Sequence, residues 1–354
     1  MCSRKGRLLS AALLLSLPVG WAPACANELD RLQIAGLSSS ERLRLRAYGQ
    51  ALTAGKLPRS ALVRMRQDMI RQGYYVEKGS PALVARGVQA APLLAWDGNI
   101  NGGILQDRFV LNGLTLEADP DFVAKAGIVA GFSVAGLLRY AWGTGRLVEL
   151  QGATELGWSP EHGIGRADVI LSACSRNHLV GWSFLDLCTT GRHYWRELDK
   201  ASAWQVSAAF TQIAPAPNSL HEIGLEYLRA STPGPDQDRV ALSIESVWSH
   251  ALTEIEITVG EPLDDTVSLR YRTDARVSWI AADRGWSLDI WTQQAEGGMF
   301  LGVPREDRAQ GIGLTTDLRP GTSLRLAYLD SRSTAGIANY DQVTLDIRFG
   351  NLRW

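Results

Sequence analysis

The side chains whose spacing best suits them to chemistry in this 354-residue chain are acids and arginines set at every second position. Glu245, Glu254 and Glu256 lie on segments next to one that carries Arg270, Arg272 and Arg276, and Asp289, Arg325 and Arg348 hold equivalent positions further on. In an extended backbone alternate residues share a face. Acidic and basic rows facing a common space would set up a transverse field and line a wet channel, as charged rings do in pores. The same rows could instead pair and fill a narrow interior, because unpaired buried charge is costly. Spacing alone leaves both outcomes open.

Other chemistry is sparse. The histidines, His162, His178, His193, His221 and His250, are scattered, and none sits beside a nucleophile motif. Ser249-His250 imitates a serine-histidine pair, but neighbours on one strand point to opposite sides. A histidine beside an interfacial Trp248 accounts for it better, so no enzyme and no cofactor are expected. Cys174 and Cys188 are the cysteines left if a leader is removed after Ala26, and an oxidising compartment would let them form a disulfide. Two unpaired core cysteines are the alternative. No histidine lies at ligand spacing from either, so no metal site follows.

These residues must be positioned by strands. Val148, Leu150, Gly152, Thr154, Leu156 and Trp158 alternate with Glu149, Gln151, Ala153, Glu155 and Gly157. The pattern returns in Ile223, Leu225 and Tyr227, in Val240, Leu242 and Ile244, and in Ile255, Ile257 and Val259. It also runs through Trp286, Leu288 and Ile290, and through Leu324, Leu326 and Tyr328. Roughly twelve to sixteen such segments, many ending in Trp or Tyr, fit apolar-out, polar-in barrel strands with aromatic girdles. A soluble sandwich also alternates, with fewer and shorter repeats. The expected fold is mainly β, a transmembrane antiparallel barrel of about fourteen strands over residues 91–354. Stretches 295–309 and 331–340 read as long connections, and Leu318–Gly321 and Asp283–Gly285 as short ones.

The segments before residue 91 differ. Met1 to Ala26 has the layout of a secretory signal: a basic head at Arg4, Lys5 and Arg7, an apolar core from Leu8 to Leu17, and Ala24-Cys25-Ala26. Cys25 raises lipidation, but Ala22-Pro23-Ala24 lacks the leucine-like residue such signals carry. Residues 27–90 read as a short helical periplasmic segment. Ser38-Ser39-Ser40-Glu41 caps a helix through Leu43, Leu45, Tyr48 and Leu52 that ends near Gly55. A second helix follows Pro58 and stops at Gly73. The longest later uncharged apolar run, Ala126 to Leu138, is too short for a helical span, so insertion in a membrane requires a closed barrel. A formal charge of -1 without basic runs argues against nucleic acid as partner.

Two stretches carry resemblances. In the last strand Val343, Leu345, Ile347 and Phe349 oppose Thr344, Asp346 and Arg348, and the chain stops at Trp354. This resembles the C-terminal strand of bacterial outer-membrane barrels. The resemblance implies an outer-membrane location among lipids and recognition by the barrel-assembly machinery through Phe349, Leu352 and Trp354. Gly350 shifts the phase, which a glycine bulge would restore. The run Ala91-Pro92-Leu93-Leu94-Ala95-Trp96-Asp97-Gly98-Asn99-Ile100-Asn101-Gly102-Gly103 resembles the start of the barrel in the surface lipoprotein assembly modulator family. That family places a helical-repeat domain before its barrel, and residues 27–90 are shorter than its repeat array. It implies a conduit that assists export or display of a secreted protein or lipoprotein client. A diffusion porin for small solutes is the alternative, and a structural or adhesive barrel acting through loops such as Gly297–Gln310 is a third.

Overall fold

The computed structural model describes residues 28–77, 79–111, 114–231, 235–300, 302–319, 322–335, 338–348 and 352–353. The expected signal, together with Phe349, Gly350 and Trp354, lies outside these residues. Three helices come first: α1 (Glu28–Ala35), α2 (Glu41–Thr53) and α3 (Arg59–Arg71). Strand β1 (Ala82–Asp97) is followed by a hairpin of β2 (Arg108–Leu111) and β3 (Leu114–Glu117). Then come β4 (Gly127–Gly143), β5 (Arg146–Ser159), β6 (Ile164–His178), β7 (Ser183–Trp195), β8 (Lys200–Ala216), β9 (Ser219–Ser231) and β10 (Gln237–Val247). The chain finishes with β11 (Leu252–Gly260), β12 (Ser268–Ala281), β13 (Arg284–Phe300), β14 (Val303–Arg319), β15 (Thr322–Ser333), β16 (Tyr340–Arg348) and β17 (Leu352–Arg353).

Strand β1 and the thirteen strands β4 to β16 pair antiparallel in sequence order, and β16 returns to β1 from Leu93↔Arg348 to Trp96↔Leu345. β17 extends that seam at Ala90↔Leu352 and Gln89↔Arg353. The result is a closed barrel of fourteen strands, which leaves no open sheet edge to satisfy in lipid. Alternation sorts its faces. Leu225, Leu242 and Ile257 stand in one row across β9, β10 and β11 and are exposed on the outside. Tyr140, Trp142 and Trp248 edge this apolar band near one rim, and Trp96, Trp158 and Trp195 near the other. Trp279 and Trp286 stack at 6.5 Å near the first of these rims. An apolar belt between aromatic girdles is the lipid-facing surface of an outer-membrane barrel.

The two rims differ. One carries tight turns at 144–145, 179–182, 217–218, 248–251 and 282–283 and both ends of the barrel chain. Ala282 and Asp283 turn there with φ of 51° and 57°, the left-handed pair of a two-residue hairpin. The opposite rim carries the long 98–126 connection. The short-turn rim is the periplasmic one in barrels of this kind.

Several expectations shift. The first strand begins at Ala82, upstream of residue 91. Stretch 295–309 is not a long connection, because β13 runs to Phe300 and β14 begins at Val303, with a turn at Gly302. Gly297 and Gly298 form a bulge there, with φ of 117° and 65°, so the segment taken for an adhesive loop is strand. Ser249 and His250 lie in the β10–β11 turn rather than on a strand, and the histidine against Trp248 is His221, at 5.5 Å.

Capping sets the helices. Ser40 caps α2 by accepting from Leu43 N at 3.1 Å, and Pro58 opens α3. They do not stand apart as a separate module. Leu32, Ile34, Leu43, Ala47 and Tyr48 pack with Phe184, Ile213, Leu220, Val247 and Leu252, which face inward at the short-turn ends of β7 to β11. Val76 packs on Ala141 and Leu147, and residues 76–81 join this anchor to β1.

Candidate functional site: a helical plug in a charged lumen

The buried apolar residues at the short-turn mouth form a collar on which the helices sit. Above it the polar side chains of α2 reach into the lumen. Ser38 Oγ donates to Glu245 Oε1 at 2.6 Å, and Ser40 Oγ donates to Glu222. Glu222 and Glu245 are cross-strand neighbours, so two carboxyl groups face the positive end of a helix. Arg42 makes a bidentate pair with Asp186 at 2.7 and 2.9 Å, and its guanidinium lies 4.2 Å over the Phe184 ring.

A second latch runs to the opposite wall. Glu41 accepts from Arg139 of β4 and from Gln72, and pairs with Arg71 at 3.1 Å. Arg139 also pairs with its cross-strand neighbour Glu149, and Arg176 closes on Glu149 at 2.7 Å. Burial alone would raise the Glu41 pKa, but Arg139 and Arg71 outweigh it and hold the carboxyl below the usual glutamate range. Tyr74 Cε1 lies 3.2 Å from the point a Cβ on Gly145 would occupy, and Leu37 Cδ2 lies 3.8 Å from the equivalent point on Gly285. The plug therefore touches strands around most of the mouth.

Higher in the lumen, on the β11–β15 wall, lies a cavity of about 340 Å³ lined by Glu254, Glu256, Arg272, Arg276, Asp289 and Trp291, with Arg325 beside them. Arg276 pairs with Glu254 at 3.3 Å and Arg325 with Asp289 at 2.9 Å. Arg272 is held by Asp274 at 2.6 Å and stacks 4.6 Å from the Trp291 ring. Among the described residues Glu256 forms no ion pair; Thr258 Oγ1 approaches it at 3.5 Å. A smaller cavity of about 260 Å³ lies nearer the far rim between Arg166, Arg192, Tyr194 and Asp199. The 98–126 connection leans over it, with Arg196 donating to Asn99 O and the buried Asn101 bonding to Val123 and Lys125.

The residues singled out by spacing thus divide. Glu254, Glu256, Arg272, Arg276, Asp289 and Arg325 line one cavity. Glu245 belongs to the plug seat. Arg270 sits at a bulge between Leu269 and Tyr271, outside that cavity, 4.0 Å from Glu296. Arg348 pairs in backbone register with Ser323 and Leu93. Cys174 and Cys188 face each other across β6 and β7 as a disulfide. Sequence reasoning missed Glu41, Arg42, Arg139 and Asp186. For Arg139 and Asp186 the one visible sign was charge at inward-facing parity on a strand.

These features define a class, a closed outer-membrane β-barrel whose short-turn mouth is filled by its own helices. No family model matches the sequence, and no curated protein matches it. Among solved structures, the outer membrane protein OpdK of Pseudomonas aeruginosa aligns over 76% of this chain and 98% of its own at 8% identity, with a TM-score of 0.42. Acinetobacter baumannii OccAB3 aligns over 76% and 99% at 8% identity and the same TM-score of 0.42. At that distance the likeness carries no residue correspondences.

Proposed function

We propose that the protein is a diffusion channel for small solutes, held shut at its periplasmic mouth by its N-terminal helices. The observation that carries this reading is the seat itself. An apolar collar and two charged latches grip α2, while the lumen above keeps a water-accessible, charge-lined cavity. A barrel filled only for stability would pair every luminal charge and leave no such space. Export of a protein client finds less support, because the helices expected to meet a client are seated inside the mouth.

The test is planar-bilayer conductance of the mature chain against a form lacking residues 28–75, which spares β1. A nearly silent full chain and a steadily conducting deletion are expected. Equal currents would remove the plug role, and a folded but silent deletion would remove the channel.

A further inference from the structure

We propose that the cavity on the β11–β15 wall is a binding site for small organic cations. This rests on the channel reading above. The charges of its walls lead there. Three arginines line it, and each is already locked to a carboxylate: Arg272 to Asp274, Arg276 to Glu254 and Arg325 to Asp289. These locked pairs are neutral together and offer an anion no free partner. What remains is Glu256, exposed on the inner wall and without a basic partner among the described residues. The cavity therefore presents one uncompensated negative charge in a space of about 340 Å³, within the span of about 300–1,000 Å³ usual for small-ligand sites.

A second feature points the same way. Glu254 stands directly opposite Glu245, and Glu245 opposite Glu222, so one inward row runs from the cavity to the plug seat. At the seat that row is filled by the chain's own positive group, the N-terminal turn of thirteen-residue α2 with the Ser38 and Ser40 hydroxyls. The lower end of the wall thus holds an electropositive partner, and the upper end is vacant for one. A cationic solute would meet Glu256 first and then the carboxylates that α2 covers, whereas an anionic one would meet an unfavourable field along the row.

Three near-isosteres separate charge from shape: butylguanidinium, butylurea and hexanoate. Calorimetry on the detergent-folded full chain should show butylguanidinium binding at least about fivefold more tightly than the other two, the scale of one exposed charge contact. Glu256→Gln should weaken it by a similar factor, and Glu117→Gln, on the outer hairpin, should leave it unchanged. Equal binding of all three compounds, or an unaltered affinity in E256Q, would overturn the assignment. Conductance of the form lacking residues 28–75 separates the two readings. Binding without current leaves the site standing and removes the channel; current without cation preference or butylguanidinium block removes the site and leaves the channel.

Discussion

Glu41 is one side chain that ties the helices to each other and to the barrel wall at once. Its carboxylate joins α3 through Arg71, the α3 turn through Gln72, and the barrel wall through Arg139. Removing one member of a buried pair strands the rest, at about 3–5 kcal/mol. Arg139 keeps Glu149 when Glu41 is lost, so the lower end applies. Glu41→Gln should shift the seated-to-released ratio by about a hundredfold, read as open probability in single-channel records. The sign of its pH response follows. A depressed folded pKa means the latch contributes fully above the ordinary value of 4.5 and is lost as pH falls through the lower folded value. Acidification below 4.5 should open the wild-type channel, while E41Q should lose that component. The Ser40 cap of α2 was legible from Ser38-Ser39-Ser40-Glu41, because capping is local. The partners of Glu41 were not. Alternation assigns a residue to a face, but pairing across a lumen depends on how far each strand is staggered against the next. Arg270 was misplaced for a related reason, since a bulge is invisible to a period of two.

At the scale of elements, the helix ends were readable from Ser40, Gly55, Pro58 and Gly73, whereas their destination was not. The apolar face of Leu43, Ala47 and Tyr48 would suit a small free-standing bundle equally well. What draws it into the barrel is the complementary collar of Phe184, Ile213, Leu220, Val247 and Leu252. Those residues come from the ends of separate strands and form no contiguous sequence signal. The Ser38–Glu245 contact at 2.6 Å offers a direct lock. A short, reducible bis-thiol cross-linker joining Ser38→Cys to Glu245→Cys should abolish openings, reduction should restore them, and neither single cysteine should respond. Openings that persist in the cross-linked protein would show that α2 stays seated while current flows.

For the whole molecule, the closed fourteen-stranded barrel was legible from repeated alternation and aromatic ends, which reflect its two solvents, lipid outside and water within. The boundary at residue 91 was late because β1 opens with Ala82, Ala85 and Gly87, whose small side chains blur the alternation. Closure joins the first strand to the last over a short register, Gln89–Trp96 against β16 and β17, whereas β1 pairs with β4 along nearly its whole length. Hydrogen exchange should therefore be fastest, among the barrel strands, at Leu345–Arg348 and their β1 partners. Protection there equal to that of β4–β5 would show that the seam is held by more than its ladder.

The stretch 76–81 between the Val76 anchor and β1 sets a limit on how the mouth can open. Six residues reach at most about 20 Å when fully extended. A released plug is thus a leashed ligand, kept near its seat at an effective concentration on the order of millimolar. Rebinding becomes an intramolecular event whose rate does not depend on how much protein is present. Openings should come as brief, self-terminating bursts, and lengthening the leash with glycine and serine should prolong the closed-to-open cycle while leaving the current through the open barrel unchanged.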